Sequence, residues 1–504
     1  MQVPYFQRGA RINLTSRKVE FERLDHGWYR KFFGGKGLGA LLLVNRLAPL
    51  VDPLSPENIM IFLTGPLTGS AYPSSNRGVL VTKSPLTGGF LDSNIGGSLG
   101  RAIKSAGLDY VIFEGKSSSP VWVAISDAGI VFRDALYLWG KTTGETEAAI
   151  KKEMNQPGTA VASIGQAGEL GVLFSSIGSD QRMFGRGGAG AVMGSKNLKA
   201  VAFAGRAESS WFDAETFAAE TKKARQKLSS NPSTKKDGPF PLYGTTFTTD
   251  VTNTMGVLPT RNWQESTYEG ATSLYAAAFS AKKVKSTTCY QCPIACGRLL
   301  ETESGRLRGP EYETIYAFGS NCGISDIDTV IRANHLCEEY GLDTITCGVV
   351  ISFLMECAEK GIVKEYGSYP LPRFGDREGL IAAIEYIGKG GTPGDPVRKG
   401  VKRLAAEIGQ GTEHFAIAVK GLELPGYDPR GMKGMALLYA TSDRGGCHVR
   451  GSTLKSELLG LAGPVDRFGY QGKAQIAASL HPVYAMMNSY SGCLFSAFAL
   501  TIDD

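Results

Sequence analysis

Short apolar runs cut by turn residues fill the first part of the chain. Residues 5–20 alternate apolar and polar positions in the manner of strands. The runs 59–63, 78–82, 110–114 and 121–125 are rich in β-branched and aromatic residues and predict further strands. Between them, residues 27–47 read as a helical segment entered through Gly34-Gly35-Lys36-Gly37-Leu38-Gly39. After Gly205 the period changes. Residues 211–228 and 327–360 carry apolar positions at helical spacing, most clearly over 343–358, and 229–244 is a Pro/Ser/Lys-rich connector. A Gly/Pro/Asp-rich stretch at 388–395 marks a further boundary, with a helix predicted over 396–408. The pattern predicts an α+β chain: a β-rich N-terminal domain over 1–208, a mainly helical domain over 209–395 and a mainly helical third domain over 396–504.

Composition narrows the class. The chain has 504 residues and 42 % hydrophobic content, enough for two or three domains of about 100 to 200 residues each. Its 64 glycines follow no collagen-like period, so they mark places where backbone turns tightly or approaches a ligand. The net charge of +6 is spread over mixed-sign segments without a Lys/Arg block. That argues against nucleic-acid binding and leaves room for steering an acidic protein partner. No stretch approaches the roughly 18 uninterrupted apolar residues of a membrane span, and the first residues lack a charged region followed by an apolar one. A cytoplasmic protein without a membrane span is expected. Nine cysteines, three of them within eight residues, suit a reducing compartment rather than a disulfide scaffold.

Those three thiols, Cys289, Cys292 and Cys296, form a CxxCxxxC array broken by Pro293 and closed by Gly297. Short loops let three thiolates converge on one corner of an inorganic centre, with a fourth ligand from elsewhere. Structural zinc favours two CxxC pairs, so the array favours a [4Fe-4S] cube over zinc or plain reduced thiols. Two polar glycine-rich elements stand out as well. One runs through Asn76-Arg77-Gly78, residues 83–89 and residues 92–97; the other is RMFGRGGAGAVMGSK at 182–196. Exposed N–H groups, cations and missing side chains are what cradling a phosphate requires; surface loops with ordinary turn chemistry are the alternative. Neither Rossmann nor Walker spacing fits, because 34–39 lacks the GxGxxG register and Gly194 is followed by Ser195-Lys196-Asn197.

GGKGLGA at 34–40, KSPLTGG with SNIGG over 83–97, GRGGAGAVMGSKNLKA at 185–200, the thiol array, GPEYET at 309–314, GLDT at 341–344, LELPGYDPRG and the DRGGCH turn together resemble the aldehyde:ferredoxin oxidoreductase family of tungsten enzymes. The resemblance runs in order over essentially the whole chain. It implies a tungsten bis-pyranopterin centre (molybdenum being the alternative metal) beside a [4Fe-4S] cluster, with Mg2+ bridging the two pterin phosphates. It also implies a β-rich domain forming a base for the cofactor, covered by two mainly helical domains.

Carried over position by position, the resemblance makes Cys289, Cys292, Cys296 and Cys493 the cluster ligands. Arg77, Asn94, Gly96, Arg182 and the backbone of Met183 match pterin, phosphate and magnesium contacts, Gly187 and Gly96 allow close backbone approach, and Arg77 stands between cluster and pterin. Two pterin motifs of form DxxGL followed by Asp or Cys are altered. The first reads Glu338-Glu339-Tyr340-Gly341-Leu342-Asp343, and the second Asn488-Ser489-Tyr490-Ser491-Gly492-Cys493. Cys322, Cys337, Cys347, Cys357 and Cys447 are expected to be small buried hydrophobes. Family members generally continue beyond the position of Asp504, so the third domain is expected to be truncated relative to the family, as a short member or as an incomplete sequence.

The implied activity is oxidation of an aldehyde to a carboxylic acid, with electrons passed through the cluster to ferredoxin or a ferredoxin-like iron-sulfur subunit, in a homodimer or hetero-oligomer. The alternatives are the tungsten subunit of a complex reducing an aromatic acyl-CoA ring and a non-catalytic iron-sulfur carrier. Aldehyde oxidation needs an acid/base pair beside the metal. The resemblance assigns it to His448 and a glutamate of GPEYET, Glu313 being favoured over Glu311, which would share its face if the segment were extended.

Overall fold

The computed structural model describes residues 4–501, apart from 462 and 464. Two six-stranded sheets build the first part of the chain. The first holds β1 (Gly9–Asn13), β2 (Lys18–Glu22), β3 (Met60–Leu63), β4 (Gly78–Lys83), β5 (Phe90–Ile95) and β6 (Tyr110–Glu114) in the order β2-β1-β6-β3-β4-β5. The second holds β7 (Val121–Ser126), β8 (Gly129–Asp134), β9 (Ala160–Ser163), β10 (Ile177–Ser179), β11 (Arg182–Phe184) and β12 (Leu198–Phe203) in the order β11-β10-β9-β12-β7-β8. Only β1 with β6 and β12 with β7 pair in parallel.

Alternation explains why the central strands are apolar on both faces. Met60, Phe62, Val111 and Phe113 point into a core shared with Val123, Ala162 and Val201 of the other sheet. Their neighbours Ile61, Leu63, Tyr110 and Ile112 pack instead beneath the helices His26–Phe32 and Gly35–Arg46. A strand covered on both faces reads as a continuous apolar run, as the sequence does. The helical segment expected over 27–47 is thus two helices. Phe33 takes φ 59°, and a side chain at Gly34 would lie 2.5 Å from the Thr64 carbonyl. The chain turns there to follow the sheet.

The second part is mainly helical, giving an α+β chain. One continuous core joins the helices Tyr312–Phe318, Ile327–Tyr340 and Thr344–Glu359 to Val397, Val401 and Leu404, which lie beyond the 388–395 loop. Buried Arg398 ties that loop down by donating to the carbonyls of Tyr386, Ile387 and Thr392. The helix expected over 396–408 is broken, because Gly400 at φ 85° separates a short turn from the helix Val401–Ile408. The connector 229–244 likewise contains a short helix, Pro239–Tyr243. Among the described residues no helix is long and apolar enough to cross a membrane.

Candidate functional site

A cavity of about 420 Å³ opens where the ends of β5 and β11 meet the helical part. Every candidate from the sequence lines it except Gly187. Gly187 sits at φ 88°, and a side chain there would collide with Leu91, so its close approach is to packing within the first domain.

The thiols come from two distant segments. Residues 288–296 form an irregular loop in which the Cys292 N–H donates to the Cys289 carbonyl at 3.1 Å and Gln291 and Ala295 take left-handed φ values. The Tyr290 N–H reaches Gly97 at 3.3 Å. A side chain at Gly96 would lie 2.8 Å from the Cys289 sulfur. Cys493 follows the helix Lys473–Tyr490, which ends in left-handed Ser491. Its N–H donates to the Ser74 carbonyl at 2.8 Å, while the Ser74 hydroxyl lies 3.2 Å from the Cys292 sulfur. The short loop 74–77 therefore brings residue 493 beside the array. All four thiols are free and half-buried, and Cys322, Cys337, Cys347, Cys357 and Cys447 are buried as expected. Among the described residues no three His, Cys, Asp or Glu side chains are grouped as a single-ion site.

Arg77 extends from the same loop, with Nη2 3.6 Å from the Cys493 sulfur. Burial works against its charge, but Cys493, Cys289 and Cys296 outweigh burial and hold the guanidinium above its ordinary pKa. On β5, Asn94 donates to Asn488 Oδ1 at 3.1 Å and leaves its own Oδ1 buried without a partner. Arg182 and Met183 come from the β10–β11 hairpin, which periodicity did not reveal because each strand has three residues. The first altered pterin motif is a helix-to-helix corner. Gly341 caps one helix at φ 75°, and Asp343 caps the next, accepting from the Ile345 N–H and the Thr346 hydroxyl. Glu338 accepts from Arg308 at 2.7 Å.

GPEYET is not extended. Glu311 is the N-cap residue of the helix Tyr312–Phe318 and Glu313 lies in its first turn, so the two carboxylates diverge. Glu311 accepts from Thr245 at 2.7 Å and Arg308 at 3.0 Å. Burial raises its pKa, but Arg298, Arg308 and Arg182 overcome that and bring it to about 2. Among the described residues Glu313 accepts only the Gly426 N–H, at 2.8 Å, and burial pushes it up to about 8. His448 Nδ1 stands 3.6 Å from Glu313 Oε1. Burial, followed by the charges of Arg186, Arg444 and Arg450, lowers His448 to about 3. The imidazole is neutral and Glu313 can change its charge near neutral pH. Carboxyl groups whose environments drive their pKa values apart mark an acid/base site.

Sequence reasoning missed the cations behind this pair. Arg186 donates to Asp343 and to the carbonyls of Gly446 and Glu423. Arg450 grips Asp92 on β5, and Arg444 reaches the Asp92 carbonyl and the Cys447 sulfur. Their signal was an arginine inside each glycine-rich motif, where a side chain is otherwise unwanted. Tyr427, Tyr484 and Lys455 complete the wall.

The family model "Aldehyde ferredoxin oxidoreductase, N-terminal domain" matches residues 9–205, and "Aldehyde ferredoxin oxidoreductase, domains 2 & 3" matches 219–504. The tungsten-containing aldehyde ferredoxin oxidoreductase of Pyrococcus furiosus is 41% identical over 503 residues, covering 99% of this chain and 82% of the relative. That of Thermococcus kodakarensis is 40% identical over 503 residues, with the same coverage of 99% and 82%. Among solved structures, the active site complex BamBC of benzoyl coenzyme A reductase with 1,5 dienoyl-CoA superposes with a TM-score of 0.82 at 24% identity. It covers 98% of this chain and 82% of that one, a likeness of fold. With both family models matched along its length and relatives at this identity, the chain belongs to the aldehyde ferredoxin oxidoreductase family.

Proposed function

We propose that this oxidoreductase converts an aldehyde to a carboxylic acid at a tungsten bis-pyranopterin centre and passes the electrons through a [4Fe-4S] cluster to ferredoxin. The observation that carries this reading is the half-buried Glu313–His448 pair, facing a cavity whose other walls hold four free thiols and two phosphate-type loops.

The residues present fit the groups. Among the described residues Asn94 Oδ1 is a buried acceptor without a donor, and Arg77 is a half-buried cation whose side chain has a thiol as its partner. Seven Arg or Lys side chains line the cavity against four carboxylates, an excess that suits anionic phosphates. Cys289, Cys292, Cys296 and Cys493 would hold the cluster. Arg182, Asn94, Gly96 and the Met183 backbone would receive the phosphates and Mg2+, while Glu338, Leu342, Asp343 and Asn488 would face the pterin rings. When bound, the metal-pterin centre supplies two-electron redox chemistry at the carbonyl carbon, and the cluster relays the electrons singly.

The chain supplies the proton chemistry. Overall, aldehyde and water become acid, two electrons and two protons. Glu313, once deprotonated, accepts a proton from water or aldehyde hydrate in the cavity. Neutral His448 donates a hydrogen bond to the oxygen on which negative charge develops. Tyr312 and Tyr427, both buried, keep this corner dry, so each contact acts at low dielectric. An electron carrier alone would leave the pair without a task. The test is aldehyde-dependent reduction of a viologen dye by protein whose tungsten, molybdenum and iron have been counted. Full metal content without turnover on any aldehyde would refute the reading.

A further inference from the structure

Lys455 lines the same cavity, on the irregular helical turn Leu454–Leu458. Its ammonium donates to the Ala497 carbonyl and lies 4.3 Å over the Phe498 ring. Among the described residues it has no carboxylate partner, because Glu457 on its own turn is held by Lys473 and the Gly434 N–H. Of the other cavity cations, Arg450 is paired with Asp92, Arg186 with Asp343, Arg182 with Glu311, and Arg308 with Glu311 and Glu338, while Arg77 and Arg444 face the sulfurs of Cys493 and Cys447. A half-buried cation facing a cavity without a counter-charge is costly unless a ligand provides one.

We infer that Lys455 recognises a second, anionic group on the substrate, so that the preferred aldehyde is one whose carbon chain ends in a carboxylate. This rests on the reading of the cavity as an aldehyde-oxidising site. Leu454 and Phe495 supply apolar wall for the intervening carbon chain. A single ammonium balances one negative charge, which favours a carboxylate over a doubly charged phosphate. The lowered basicity of Lys455, brought to about 8 by burial, agrees with a site that has no anion of its own among the described residues.

The experiment compares 6-oxohexanoate with hexanal as substrates of the holoenzyme, reading the ratio of their kcat/KM values. The ratio should favour the carboxylated aldehyde on the order of tenfold. It should fall to near one in Lys455→Met and survive in Lys455→Arg. A ratio near one in the parent, an unchanged ratio in Lys455→Met, or a preference for a phosphate-bearing aldehyde would overturn the inference. Calorimetric binding of adipate against hexanoate gives a readout that needs no turnover. If the fully loaded enzyme oxidises no aldehyde at all the functional reading fails, while equal binding of the two acids condemns the lysine assignment alone.

Discussion

His448 Nδ1 lies 3.6 Å from Glu313 Oε1, and both atoms are buried without a hydrogen-bond partner among the described residues. Two unsatisfied polar atoms aimed at one place are costly in a merely structural role and useful where a substrate oxygen is to sit. Because burial sets Glu313 near 8, the base form is populated only as pH rises. Turnover should climb with pH and level off above about 8. Glu313→Gln with full metal content should be slower on the order of 100-fold and lose that pH limb. Activity within a few-fold of the parent would remove Glu313 from the chemistry.

The same shift bears on stability, with a sign opposite to that of a salt-bridged acid. Glu313 suits the fold when protonated, so its contribution is full below the ordinary value of 4.5 and declines as pH rises towards about 8. Glu313→Gln should therefore be more stable than the parent at pH 9, by on the order of 2 kcal/mol, and equal to it at pH 4. His448 acts in the other direction. Its neutral form is favoured, so stability is full above 6.5 and falls as pH drops towards about 3. Unfolding midpoints at both ends of the pH range measure the two effects.

Cys493 is the thiol whose role depends most on tertiary structure. The Ser74 carbonyl holds its N–H and the Ser74 hydroxyl touches Cys292, so one short loop fixes both sulfurs. Cys493→Ala should lose iron and the visible absorption of a cluster. Cys357→Ala, a change at a buried residue of the helical core, should keep both. Equal iron in the two variants contradicts the ligand set.

Arg77 places a half-buried positive charge 3.6 Å from the Cys493 sulfur. A cation beside a cluster ligand favours the reduced, more negative state. Arg77→Met should lower the cluster midpoint potential by tens of millivolts, read by redox titration under electron paramagnetic resonance. A potential that does not move, in protein with full iron, would place Arg77 outside the electron path.

What was legible in the sequence was whatever carries a short-range signal. Strands such as β3 and β6 announced themselves because both faces are buried, and the helix Thr344–Glu359 because it is apolar nearly all round. The thiol array was legible because three cysteines share one loop. Glu311 and Glu313 could not be separated in that way: an N-cap turns the chain between them, and arginines from other segments charge one while burial neutralises the other. Arg186, Arg444 and Arg450 stayed hidden for the same reason, since their partners are carbonyls and carboxylates far along the chain. Packing across sequence distance sets charge, and periodicity does not report it.

The fold depends on one such long-range contact. Asp92 on β5 is completely buried, with Arg450 Nε at 2.9 Å and Lys36 Nζ at 3.5 Å. It thereby joins the first sheet, the Gly35–Arg46 helix and the loop that carries His448. Burial raises its pKa, but Arg450 and Lys36 overcome this and hold it below the ordinary value. Its contribution is therefore present above about 3.8 and lost as pH falls further. Asp92→Asn keeps the shape and removes the charge, leaving buried Arg450 without its anion while Lys36 retains Asp443. Breaking a buried pair from one side costs about 3–5 kcal/mol, so the variant should unfold at clearly lower urea at neutral pH and approach the parent in acid. His448 should respond as well, because a displaced Arg450 no longer fixes the charge behind the imidazole. The double variant Asp92→Asn with Arg450→Met should lose less than the two single changes added together. Simple additivity would show that the Asp92–Arg450 contact does not hold sheet and site together.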